Sequence, residues 1–230
     1  MENVQDIYGL SPMQHGMLFD SVTVGDLGMY LIQLEYALEG AVRVEAFEAA
    51  WQAAVDRHGV LRSSYHWDEL KDPLQVVHEG VKFPLAVHDW RDVPASEHDH
   101  RMALFCAEDR DQGVDFEEPP LMRLALVRLG ESSWRLLWSF HHILMEGWSA
   151  SLVLGEVMQH YRCSAAAEPL VLAEHRPYRD YVTWFQEQDP QLAKDFWRAL
   201  LAGYEGPTHL GIDRDPKPLH EPVVDFEGKV

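Results

Sequence analysis

Trp134-Arg135-Leu136-Leu137-Trp138-Ser139-Phe140-His141-His142-Ile143-Leu144-Met145-Glu146-Gly147-Trp148-Ser149 is the stretch on which the reading of this chain turns. Its apolar start reads as a buried strand. Two histidines close that strand, an acidic residue and a glycine follow, and a helical pattern begins at Trp148. A histidine at a strand end, where the chain turns sharply, is well placed to act as a base. Alternation along the strand points His141 and His142 to opposite sides. One is therefore expected to anchor the loop by hydrogen bonds while the other faces a cavity. Two structural histidines would account for the pair by itself; the Glu146-Gly147-Trp148-Ser149 that follows favours a site.

Working outward, Leu121 to Leu129 and Ser133 to Phe140 predict an antiparallel hairpin around Gly130-Glu131-Ser132. Ser11-Pro12 reads as an N-cap and first helical residue, with Met13, Met17 and Leu18 as an apolar stripe. Met29 to Leu38 alternates as a strand. Val44 to His58 is helical, with Phe47, Trp51, Ala54 and Val55 in step, and Gly59 reads as its C-cap. Leu61 to Trp67 and Leu74 to Val77 predict a strand pair, Leu85 to His88 a short strand, and Glu97 to Asp109 a helix. Downstream come a helix from Trp148 to Tyr161, a linker from Ala165 to Pro177, and helices from Tyr178 to Gln188 and Pro190 to Leu201, the last opened by Asp189. Gly203 to Val230 holds Pro207, Pro216, Pro218 and Pro222 without periodicity and reads as a crossover or tail. Strands and helices do not alternate as in a doubly wound fold, so the expected class is an α/β sandwich with a mixed, largely antiparallel sheet and packed helices.

Composition narrows the function. Across 230 residues, 47% are hydrophobic and eight are tryptophan, enough for a substantial core. A net charge of −19 argues against nucleic acid and against an anionic membrane surface. Cys106 and Cys163 make neither a disulfide framework nor a CxxC metal pair. No signal peptide is legible at Met1-Glu2-Asn3-Val4-Gln5-Asp6, and no run reaches the roughly 20 apolar residues of a membrane span, so a cytoplasmic location is expected.

Glu146 sits near the turn between strand and helix, where a carboxylate could pin the loop by pairing with an arginine; Arg62 is the candidate. Gly147 would allow close backbone approach. His142 and Glu146, four apart, could ligate a metal only on one helical face, which the strand-turn context denies, so no metal is expected. Ser149 suits an N-cap better than a nucleophile. His98-Asp99-His100 reads as a solvated helix face. No GxSxG elbow and no glycine-rich phosphate loop occurs.

Four segments together resemble the condensation domains of nonribosomal peptide synthetases. They are Leu10-Ser11-Pro12-Met13-Gln14-His15-Gly16-Met17-Leu18-Phe19, Arg57-His58-Gly59-Val60-Leu61-Arg62-Ser63, the HHxxxDG-like run from His141 to Gly147, and Tyr178-Arg179-Asp180-Tyr181-Val182-Thr183-Trp184. The resemblance implies a chloramphenicol-acetyltransferase-like lobe, one of two that form a V in the family. It implies donor and acceptor carrier proteins that deliver substrates on phosphopantetheine arms, adjacent synthetase domains, and no directly bound cofactor. It implies that His142 lies beside the reacting amine as base or positioner, with Gly147 close by. His141 and the Glu146–Arg62 pair would be structural. The family's aspartate is Glu146 here, and the motifs of the second lobe are missing. Residues 1–202 are thus expected to be an N-terminal lobe and 203–230 the start of a crossover towards a C-terminal lobe, inactive by itself. A non-catalytic half-domain that docks a carrier or neighbouring domain is one alternative. A trimeric small acyltransferase is another, although there the histidine motif lies near the C-terminus.

Overall fold

The computed structural model describes residues 3–24, 28–166, 169–204 and 206. In chain order they form β1 (Val4–Gly9), α1 (Pro12–Val24), β2 (Leu31–Glu39), α2 (Val44–Arg57), β3 (Ser63–His66), β4 (Leu74–His78), β5 (Leu85–Asp89), α3 (His98–Gln112), β6 (Met122–Arg128), β7 (Ser133–His141), α4 (Gly147–Ala166), α5 (Tyr178–Gln186) and α6 (Pro190–Leu200). β1, β4 and β3 make one antiparallel sheet; β2, β7, β6 and β5, in that order, make a second. In the second sheet β5 runs parallel to β6 and the other pairs are antiparallel. A parallel pair needs a crossover, which the segment containing α3 provides. The α/β class with mixed, largely antiparallel pairing is the one observed.

β7 is central and buried on both faces from Leu136 to His141, which is why Leu136, Leu137 and Trp138 are apolar in succession. Trp134, Leu136, Trp138 and Phe140 enter the main core with Phe47 and Trp51 of α2 and Val153 and Val157 of α4. Trp51 stacks on Phe83 at 5.4 Å and meets Trp138 edge-on at 4.8 Å. Leu137 faces the other way and packs with Val127 and with Met102 of α3. On that reverse face Asp109 of α3 accepts hydrogen bonds from Gln33 of β2 at 2.7 Å, from Arg123 of β6 and from Ser139 of β7. One buried carboxylate thus ties α3 to three strands.

Several local expectations are corrected. β1 carries too short a pattern to be read in advance; its pairing with β4 creates it. Leu61 and Arg62 lie in a 3-10 turn (Gly59–Arg62), not in the strand. Gly59 is no left-handed cap: His58, at φ −101°, ends α2. Space is tight there: a Cβ would sit 3.2 Å from Val77 Cγ1, which would have to shift by a few tenths of an ångström. Met13, placed in the apolar stripe of α1, is 72% exposed. Asp99 is exposed, as expected of a solvated helix face, and also pairs with Arg135.

The chain divides into two compact units, Met1–Glu187 and Gln188–Val230. Within the second, Asp189 caps α6 by accepting from Gln191 N–H at 2.8 Å, as the Asp189-Pro190 pair predicts. The expected tail lies outside the described residues except for Gly203, Tyr204 and Gly206. Among the described residues no helix is long and apolar enough to cross a membrane.

Candidate active site

The two histidines part company at the end of β7. The His141 N–H donates to Leu121 O at 3.0 Å, and the His142 N–H to Tyr30 O at 2.8 Å, so both backbones are still held by neighbouring chain. The His141 side chain is 1% exposed. Phe116 lies against its ring, edge to face, at 4.8 Å. Its Nδ1 accepts from Ile143 N–H at 3.1 Å, which puts the proton on Nε2. Nε2 lies 3.4 Å from Ser21 Oγ, and that hydroxyl donates onward to Met17 O at 2.8 Å. Burial pushes the imidazole down to about 4 from an ordinary 6.5; a backbone hydrogen bond at Met29 works against this and His142 adds to it. His141 is therefore a neutral, locked anchor.

His142 instead lines a cavity of about 1550 Å³ bounded by α1, the 57–62 turn, the start of α4 and the 172–181 segment. Its Nδ1 is buried without a hydrogen-bond partner among the described residues. Nε2 is thus the ring nitrogen left for a ligand. The two rings have different surroundings, as expected of neighbours on a strand: His141 is buried and His142 lines the cavity.

The turn after His142 is held by side chains that the sequence did not single out. Gln14, 2% exposed, donates from Nε2 to Ile143 O at 3.2 Å, Gln75 Oε1 at 3.0 Å and Tyr65 OH at 3.3 Å. Its Oε1 accepts from Ser11 N–H at 3.0 Å, while Ser11 Oγ accepts from Gln14 N–H at 3.3 Å. This is a capping box, and Ser-x-x-Gln was the available signal for it. Gln75 in turn donates to Ser63 Oγ at 2.8 Å and Tyr8 OH at 3.0 Å, and Tyr178 OH donates to Ser11 Oγ at 3.1 Å. The network joins α1, the smaller sheet and α5 to the loop that carries His142.

Glu146 does not pair with Arg62. Its carboxylate caps α4, accepting from Trp148 N–H at 2.7 Å and Ser149 N–H at 2.8 Å, and Ser149 Oγ adds a bond at 3.1 Å. Those N–H groups, Trp148 first, hold the Glu146 carboxyl below its usual range. Glu146 is the residue just before α4 and bonds forward to its first turn, so it takes the cap expected of Ser149. Arg62 donates to His78 O instead. Gly147 is the first residue of α4, and a Cβ built there meets nothing within 4 Å. The protein itself does not require glycine at that point. Among the described residues no group of three or more His, Cys, Asp or Glu is placed to hold a metal.

A family model described as Condensation domain matches residues 4–223. The chain belongs to the condensation-domain family. Among its relatives, a linear gramicidin synthase from Brevibacillus parabrevis is 37% identical over 217 residues. A plipastatin synthase from Bacillus subtilis is 35% identical over 215 residues. These matches cover 94% of this chain but only 3% and 6% of those proteins. Of solved structures, the starter condensation domain of rhizomide synthetase has the same fold, with a TM-score of 0.76 at 22% identity. That superposition covers 88% of this chain and 50% of the other. A mutant of that domain in complex with C8-CoA aligns with a TM-score of 0.79 at 22% identity, over 91% of this chain and 49% of that one. The condensation fold, chloramphenicol-acetyltransferase-like, is thus present here over about half the length of the solved domain.

Proposed function

We propose that this condensation-domain chain is the N-terminal lobe of an amide-forming enzyme, residues 1–202, with 203–230 leading towards a second lobe. The observation that carries the proposal is the split of the histidine pair: His141 is buried and locked, while His142 is on the wall of a large cavity. In this reading a carrier-bound amine attacks the carbonyl of a carrier-bound thioester. The new C–N bond forms as the C–S bond breaks, and the amine proton passes to the departing thiolate. Nε2 of His142 accepts a hydrogen bond from the attacking N–H, which orients the lone pair and can relay that proton.

Gly147 is exposed beside the cavity, and in this reading the open space at its Cα leaves room for a phosphopantetheine arm passing close to α4. Those arms come with the donor and acceptor carrier proteins, not as a resident cofactor. His141, Glu146 and Arg62 then serve the site from behind: the first anchors the turn, the second caps α4, the third borders the cavity. Met13, Phe19, Trp148 and Leu152 leave large apolar side chains exposed on α1 and α4, which fits a covering second lobe or neighbouring domain.

The test is amide formation from a donor acyl thioester and an acceptor aminoacyl thioester, followed by mass spectrometry. The chain with a second lobe supplied is expected to form product, the chain by itself very little, and the His142→Ala form none. Full activity of the isolated chain, or of His142→Ala, would refute the assignment.

A further inference from the structure

Arg62 is only 8% exposed, yet it lines the cavity that His142 lines. Nη1 donates to His78 O, and Nε is buried with no partner. No carboxylate pairs with this guanidinium among the described residues. A carbonyl oxygen does not balance a desolvated positive charge, so such a group calls for an anion. Four of the five carboxylates that line the cavity are engaged elsewhere. Asp6 pairs with Arg179 at 3.0 Å, and Glu156 with His58 at 2.7 Å and Arg57 at 3.4 Å. Asp20 accepts from Tyr30 OH at 2.8 Å, and Glu146 is committed to the N-terminus of α4. Glu174 is exposed on the segment before α5.

We propose that Arg62 is an oxyanion-binding group of this cavity, its planar fork taking a carboxylate or phosphate oxygen from the molecule bound there. Two sources share that chemistry: an acidic side chain on the acyl or aminoacyl substrate, and the phosphate of the arm that carries it. What brings an oxyanion to the cavity rests on the condensation reading above; whether one binds does not.

The experiment is a calorimetric and NMR titration of the full chain with N-acetyl-L-aspartate and N-acetyl-L-asparagine, each with its α-carboxyl blocked as the methylamide so that only the former is charged, and with phosphopantetheine and pantetheine. At least one anion is expected to bind roughly tenfold or more tightly than its neutral partner, and Arg62→Gln to remove that preference. N-acetyl-L-aspartate as the preferred anion assigns the site to an acidic substrate, phosphopantetheine to the arm. In the unsubstituted chain the Arg62 Nε–H resonance, assigned with Arg62→Lys, is expected to move with the preferred anion only. That readout stands even where Arg62→Gln does not fold. Equal affinity for charged and neutral partners, or a resonance that stays still throughout, overturns the proposal. Because binding is read and not turnover, failure here leaves the amide-forming assignment to its own test.

Discussion

The side-chain amide of Gln14 donates to the carbonyl of Ile143 at 3.2 Å, tying the first turn of α1 to the residue that follows His142. Both groups are buried, and the same amide also satisfies Gln75 and Tyr65. The turn that carries His142 is therefore held through the capping box of another helix. Gln14→Ala would leave several buried polar groups without partners, at an expected cost of about 2–4 kcal/mol in urea unfolding. In a complete two-lobe domain it is expected to lower kcat more than it raises KM, because Gln14 is one small part of a large cavity wall but a direct support of the turn that carries His142. An unchanged stability would show that water replaces the amide.

The histidine pair should separate stability from activity. His141→Ala removes a packed ring and the acceptor for Ile143 N–H, and is expected to cost about 2–4 kcal/mol by thermal or chemical unfolding. His142→Ala should change stability by less than about 1 kcal/mol while abolishing amide formation. The opposite pattern would reverse the two roles.

His141 also predicts a pH dependence. Its folded value of about 4 lies below the ordinary 6.5, so the unfolded chain binds more protons between those two pH values. Stability is then greatest above pH 6.5 and is lost as pH falls towards 4, by up to about 3 kcal/mol from this residue. Unfolding of His141→Gln, measured over the same range, should show a shallower slope. Equal slopes would mean that other groups carry the acid sensitivity.

Glu146 is tested by length and charge. Asp is a good N-cap residue, so Glu146→Asp is expected to keep the α4 cap and to retain equal or higher activity in the complete domain. Glu146→Ala should lower the unfolding midpoint and the helix signal. Its depressed carboxyl adds stability that is present above the unfolded carboxylate value and fades as pH falls through the folded one. A large activity loss in Glu146→Asp would show a site adapted to glutamate.

Gly147→Ala has room within the protein. Folding stability is expected to rise by about 0.5 kcal/mol, because alanine restricts the unfolded chain. Amide formation should nevertheless fall, since the added methyl projects where a substrate arm would pass. Unaltered kinetics would remove Gly147 from the site.

The strand Trp134–Phe140, the hairpin around Gly130 and the helix with Trp51 at its centre are local patterns, and each was legible to within a few residues. The caps at Ser11 and Asp189 were legible for the same reason: a cap is set by its own next few residues. β1 was not, because a short strand has little pattern of its own and forms against β4. The Glu146–Arg62 pair is an expectation that failed at the site itself. Nothing in spacing could say that this carboxylate would be taken up by the N–H groups of Trp148 and Ser149 at the start of α4.

The sequence by itself determined the α/β class, the order of its elements and the position of a histidine pair at a strand end, because hydrophobic periodicity and caps act over a few residues. Only the tertiary structure decided which histidine is buried, that Gln14 reaches across 129 residues to hold the turn, and that Arg62 borders the cavity without a carboxylate partner among the described residues. Those outcomes depend on which distant side chains meet in a desolvated space, where each donor and charge must find its partner among groups that chain order does not bring together.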